Sequence, residues 1–193
     1  MYLSKFINFE KSNLIVVAGP PTVGKTSATV ATVKELRKKR KTAYFYFLDD
    51  KKFIEEKDMN NIFVKLRDFY SVEKLREKCI RLKNKYDIKF IVIDDIELLR
   101  CEKAILECKS ILDEQEETAR YLKDIVKELD ISILVVSLLS PRFYKRKDEE
   151  DLLLYLENKT FKKCADVIIF LYKENYTDEN ISTKIYKFNE KEI

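Results

Sequence analysis

Leu14-Ile15-Val16-Val17-Ala18-Gly19-Pro20-Pro21-Thr22-Val23-Gly24-Lys25-Thr26-Ser27 decides how the rest of the chain is read. Its first five residues are apolar and rich in β-branched side chains, which suits a buried strand. Residues 19–26 then spell G-x-x-x-x-G-K-[ST] in full, and the stretch beyond them, with Ala28, Ala31 and Leu36 set among charges, reads as a helix. Strand, glycine-bearing loop and helix form the context in which this motif holds a nucleoside triphosphate. Backbone N–H groups and the positive end of the helix dipole surround the phosphates, the lysine neutralises β and γ oxygens, and the hydroxyl after it ligates Mg²⁺. The expected nucleotide-binding residues are therefore Gly19, Pro20, Pro21, Thr22, Val23, Gly24, Lys25, Thr26 and Ser27, with ATP and Mg²⁺ as cofactors. The plain alternative is a chance glycine turn before a helix. Glycine usage argues against it: Gly19 and Gly24 are the chain's two glycines, and Pro20 and Pro21 are two of its three prolines.

The remaining sequence alternates short apolar runs with amphipathic stretches. Residues 43–48, 62–64, 90–93, 131–136, 167–172 and 183–188 read as strands. Val72, Leu75, Cys79, Leu82 and Tyr86 share one helical face, as do Ala119, Leu122, Val126 and Leu129, and Ala104, Cys108 and Ile111 suggest a further helix between them. Such alternation predicts an α/β fold with a mostly parallel central sheet covered by helices on both faces. The 193 residues fit one domain, spanning 1–193.

Composition narrows the function classes. With 46% hydrophobic and 37% charged residues the chain suits a packed core under a charged surface. No stretch approaches the roughly 20 consecutive apolar residues of a membrane span, and the N-terminus has no signal-peptide pattern, so the expected location is cytoplasmic, with no membrane partner. The four cysteines form no C-x-x-C pair and the chain has no histidine, which argues against a zinc site. A net charge of +4 announces no nucleic-acid binder by itself.

Asp94 closes the apolar run Phe90-Ile91-Val92-Ile93 and so is expected at the carboxyl edge of the sheet, where open α/β folds bind ligands. Beside a P-loop it is the natural carboxylate for the Mg²⁺ shell, together with Thr26; standing alone, such an aspartate is as often a helix cap. Hydrolysis also needs a carboxylate to orient or deprotonate water, and Asp49, Asp50 and Asp95 all follow strands beside the expected γ-phosphate position. Residue types and spacing leave these three open. Arg142-Phe143-Tyr144-Lys145-Arg146-Lys147 joins four cations to two aromatics after a strand, a combination able to grip phosphates and stack bases. The plain alternative is a solvated loop balanced by Asp148, Glu149, Glu150 and Asp151.

From about residue 13 to 188 the order of elements resembles the ATPase domain of the DnaB-type replicative helicases, of the RecA-like P-loop group. The resemblance is carried by Leu75-Arg76, Arg81-Leu82-Lys83 and Ile91-Val92-Ile93-Asp94, then by Tyr121-Leu122-Lys123 and Lys127-Glu128-Leu129, and by the run from Cys164-Ala165-Asp166 through Tyr172-Lys173-Glu174. It implies a single RecA-like ATPase domain acting on single-stranded DNA in replication, with self-association or other replication proteins as partners. It implies Asp49, after Phe47-Leu48, as the catalytic carboxylate alongside Lys25 and Asp94. It also implies residues 142–160 as the DNA-binding loop region, with Arg142, Lys145, Arg146 and Lys147 as contacts.

The chain departs from the family pattern at three places. Leu138 stands where the family has a glutamine coupling the γ-phosphate to DNA, and the last strand offers Lys187 but no arginine finger, a group that contributes about 10³ or more in rate. The glycine-rich DNA loop after Asp94 is replaced by the helix-like stretch 101–112. These departures motivate an alternative: a degenerate ATP-binding switch or adaptor that works through a protein partner with little hydrolysis. A third reading, a small-molecule phosphotransferase, needs an arginine-bearing lid and an acceptor pocket.

Overall fold

The computed structural model describes residues 3–8, 11–36, 40–47, 61–66, 70–107, 109–139, 161–172 and 182–187. After a 3-10 turn at Leu3–Phe6 come β1 (Leu14–Gly19), α1 (Lys25–Leu36), β2 (Thr42–Tyr46), β3 (Asn61–Lys65), β4 (Tyr70–Ser71) and α2 (Val72–Tyr86). They are followed by β5 (Phe90–Asp94), β6 (Leu99–Arg100), α3 (Glu102–Leu106), α4 (Ile111–Leu129), β7 (Ser132–Leu138), α5 (Phe161–Cys164), β8 (Val167–Tyr172) and β9 (Ser182–Lys187).

Seven strands form one sheet in the order β3-β2-β5-β7-β1-β8-β9. All neighbours are parallel except β8 and β9, which run antiparallel. The centre is buried from both sides, as a parallel sheet under helices demands: every residue of β1 and β5 is buried. Alternate side chains serve opposite faces. Leu14, Val16, Ala18, Ile91, Ile93, Ile133 and Val135 pack with Leu75 and Cys79 of α2 and with Ala119, Leu122 and Val126 of α4. Ile15, Val17, Val92, Leu134, Val136 and Ile169 pack with Val30, Val33 and Leu36 of α1 and with Leu3 and Ile7.

Helix ends are set by side chains suited to them. Ser71 caps α2 by accepting from the Lys74 N–H. The chain's glycines being in the P-loop, α2 and α4 terminate on aspartates in the left-handed region, Asp87 at φ 53° and Asp130 at φ 49°. Short polar side chains tolerate that conformation better than other non-glycine residues.

The structure corrects the helix expected through Ala104, Cys108 and Ile111. Ala104 lies in α3, which stops at Leu106, while Ile111 begins α4, and Cys108 lies outside the described residues. The reason is a capping box: Ser110 accepts from the Asp113 N–H and Asp113 accepts from the Ser110 N–H, which starts a new helix. Glu114, in the first turn of α4, then holds the Arg100 guanidinium through two contacts of 2.6 and 2.9 Å and accepts from the Cys101 N–H at 3.1 Å. A two-stranded sheet of β4 and β6, which the apolar pattern did not signal, lies beside this junction. Among the described residues no helix is long and apolar enough to cross a membrane.

Candidate functional site

The carboxyl end of β1 delivers the chain into the P-loop at the middle of the sheet, between β7 and β8. Gly19 is required by close approach: a Cβ there would lie 2.6 Å from the Leu171 carbonyl oxygen and 2.9 Å from Val23 Cγ1. Two residues of the loop turn into the left-handed region, Thr22 at φ 60° and Gly24 at φ 96°. Such turns present successive N–H groups on one side, the geometry that makes an anion nest. The Ala28 N–H donates to the Gly24 carbonyl at 2.9 Å as α1 begins, and α1 has no acidic residue in its first turn to offset its positive end.

Lys25 Nζ donates to the carbonyl oxygens of Gly19 and Pro20, each at 2.8 Å, so the loop folds around its own cation. An ammonium has three donors, and two are used in this way. Burial pulls the Lys25 pKa down from its ordinary value, against the fields of Glu97 and then Asp94, which raise it.

Asp94 is buried at the end of β5, and its Oδ2 accepts from Thr26 Oγ1 at 3.0 Å and from the Tyr44 hydroxyl at 2.7 Å. The two residues expected to share a Mg²⁺ ion thus meet from α1 and β5. Tyr44 was not anticipated: it lies in an apolar run where its ring reads as core. Its hydroxyl is held protonated by burial first and then by the charge of Asp94, both of which push its pKa well above the usual range.

Asp95 has a different employment from the one considered for it. Its Oδ1 accepts from the Glu97 N–H at 3.1 Å and caps the 3-10 turn Ile96–Leu98. Glu97, which no motif flagged, reaches the end of β7 instead. Its Oε1 accepts from Ser137 Oγ at 2.7 Å and from the Leu138 N–H at 2.9 Å. The next N–H, of Leu139, donates to the Gly19 carbonyl at 3.1 Å, the oxygen that Lys25 also contacts. Asp49 and Asp50 lie outside the described residues, as do Arg142, Lys145, Arg146 and Lys147. Lys187 falls in β9.

The donor set fits the groups that the motif implies. Thr26 and Asp94 offer oxygen only, which suits a hard cation such as Mg²⁺, and Mg²⁺ ordinarily takes one or two protein ligands and completes its shell with phosphate and water. Among the described residues no cluster of three or more histidine, cysteine, aspartate or glutamate side chains could hold a metal on its own. The left-handed loop, the unopposed helix terminus and Lys25 suit a polyphosphate.

A family model described as DnaB-like helicase C terminal domain matches residues 49–193, beginning after the P-loop. The chain is similar to the replicative DNA helicase DnaB of Rickettsia prowazekii (strain Madrid E), with 25% identity over 219 residues covering 90% of this chain and 44% of that protein. The chain spans less than half the length of the curated relatives it matches. Among solved structures it is similar to an isolated ATPase domain, with TM-score 0.74, 19% identity and coverage of 92% of this chain and 82% of that one. It is likewise similar to a DnaB-like replicative helicase studied with its interactions with primase, with TM-score 0.71, 19% identity and coverage of 88% and 49%. At these identities the structural likeness establishes the fold, a RecA-like ATPase domain.

Proposed function

Since the chain belongs to the DnaB-like helicase C-terminal domain family, we propose that it binds ATP with Mg²⁺ at the P-loop and hydrolyses it while acting on single-stranded DNA in replication. The observation that carries this reading is the 3.0 Å contact between Thr26 Oγ1 and Asp94 Oδ2 beside Lys25. Two elements distant in sequence converge there on one cation-binding corner. When bound, Mg²⁺·ATP supplies the phosphoryl group and the charge-neutralising metal. Gly19 and Gly24 let the backbone of residues 19–27 approach the phosphates, Lys25 compensates their charge, and Thr26 and Asp94 hold the metal. Tyr44 orients Asp94. Asp49 is proposed to activate water, and Arg142, Lys145, Arg146 and Lys147 to contact the DNA backbone. Self-association and other replication proteins are the proposed partners, in the cytoplasm.

The test is ATP turnover by the intact chain, with and without single-stranded DNA, over a range of protein concentration and beside Lys25→Ala. DNA-stimulated turnover that rises more steeply than linearly with protein, and that Lys25→Ala cuts by about 10²-fold or more, is expected. ATP binding without turnover would overturn the motor reading in favour of a nucleotide-gated adaptor, a reading to which the apolar Leu138 lends support.

A further inference from the structure

Three consecutive residues at the end of β7 are tied to the phosphate-binding corner. Ser137 Oγ and the Leu138 N–H donate to Glu97 Oε1 at 2.7 and 2.9 Å, and the Leu139 N–H donates to the Gly19 carbonyl at 3.1 Å. That carbonyl also receives Lys25 Nζ at 2.8 Å. Of the acidic groups acting on Lys25, Glu97 exerts the larger influence and Asp94 the smaller. Residues 140–160 follow directly, so whatever loosens or tightens this junction acts at the root of that segment. The Leu138 side chain, 38% exposed, has no hydrogen-bonding group with which to report a phosphate. Its backbone does have one, and Glu97 holds it.

We propose that Glu97 is the γ-phosphate sensor of this chain, a positioning residue whose carboxylate grips Ser137 and Leu138 and releases them when a third phosphate occupies the P-loop. The physical cause is like-charge repulsion in a partly buried corner, where it is screened far less than at the surface. Lys25, shared between the Gly19 carbonyl and the phosphates, carries the same event to Leu139. This inference rests on the ATP-site reading above and adds the route by which occupancy reaches the end of β7.

Glu97→Gln separates sensing from scaffolding, because the amide keeps an acceptor oxygen for both donors and loses the charge. Amide hydrogen exchange, read by mass spectrometry on peptides spanning 136–139, is measured with Mg²⁺ and either ADP or a non-hydrolysable ATP analogue. In the native chain, exchange at Leu138 is expected to be about tenfold faster with the analogue than with ADP, the size expected of one modestly screened charge pair. In Glu97→Gln that difference vanishes, and the analogue binds about tenfold tighter while ADP affinity stays within about twofold. Equal exchange with the two nucleotides in the native chain overturns the inference, as does a glutamine variant that keeps the difference. If the native chain binds neither nucleotide, the ATP-site reading falls and this one with it. If it binds both while Leu138 ignores the γ-phosphate, this inference alone falls.

Discussion

Replacing Tyr44 with phenylalanine removes one oxygen from a fully buried side chain and takes from Asp94 a donor at 2.7 Å. The ring stays, so no sizeable cavity opens, and the change isolates a hydrogen bond to a buried carboxylate. Bonds to charged groups contribute about 1.5–3 kcal/mol, more than neutral pairs, because the acceptor left behind stays desolvated. Thr26 still donates to the same oxygen at 3.0 Å, which places the expected loss near the middle of that range, about 2 kcal/mol. With a urea slope of about 2 kcal/mol/M, the unfolding midpoint falls by about 1 M. The assay is a urea titration followed by far-UV circular dichroism, in buffer free of divalent cation and nucleotide. Repeating it with Mg²⁺ and ATP analogue should shrink the deficit, since a cation beside Asp94 takes over the compensation that the hydroxyl had supplied. A midpoint shift below about 0.25 M would put the loss under roughly 0.5 kcal/mol and refute the idea that Tyr44 supports this carboxylate.

Two further outcomes follow from the packing. Gly19→Ala would drive a Cβ to 2.6 Å from the Leu171 backbone carbonyl, which cannot swing aside as a side chain can; a loss of about 1–3 kcal/mol in thermal or urea unfolding, together with loss of nucleotide binding, is expected. In alkali the buried Cys79 thiol, pushed up to about 12 by desolvation, keeps its proton in the fold while the unfolded chain gives it up near pH 9. The unfolded state therefore binds fewer protons between those values, and stability falls as pH rises through that window by up to about 1.4 kcal/mol per pH unit. Cys79→Ala, compared with the native chain in melts from pH 8 to 11, should show a flatter decline, and an unchanged slope would assign it to other groups.

The P-loop was legible because its requirements are local. A glycine must stand where a Cβ would strike Leu171, another where φ reaches 96°, and a lysine and a hydroxyl must follow at once. Asp94 was legible for a similar reason, as the first charge after a buried strand. Tyr44 and Glu97 were not, because their roles depend on which strands lie side by side. Tyr44 reaches Asp94 because β2 pairs with β5, with Tyr46 level with Asp94 and Tyr44 on the same face one pleat earlier. Glu97 matters because β7 lies beside both β5 and β1, bringing Ser137 and Leu138 to it. Neither adjacency is written in a period or a motif. Conversely, the helix expected through Ala104 and Ile111 followed apolar spacing and missed that Ser110 and Asp113 form a start signal, so the capping chemistry overrode the periodicity.

The strand that carries the P-loop sits between β7 and β8, and its register partners begin at Ile133 and Val167. Leu14 therefore waits for residues far down the chain before its edges are satisfied. During synthesis the motif emerges early, yet the sheet position that shapes it exists only after β7 and β8 have been made, and such non-local parallel pairing is slow to form. The nucleotide site is thus a late product of folding, and a nascent chain that has reached only Asp94 holds the complete motif without the site. Ligand binding at this loop consequently reports on the closure of the whole sheet, from its first strand to its eighth.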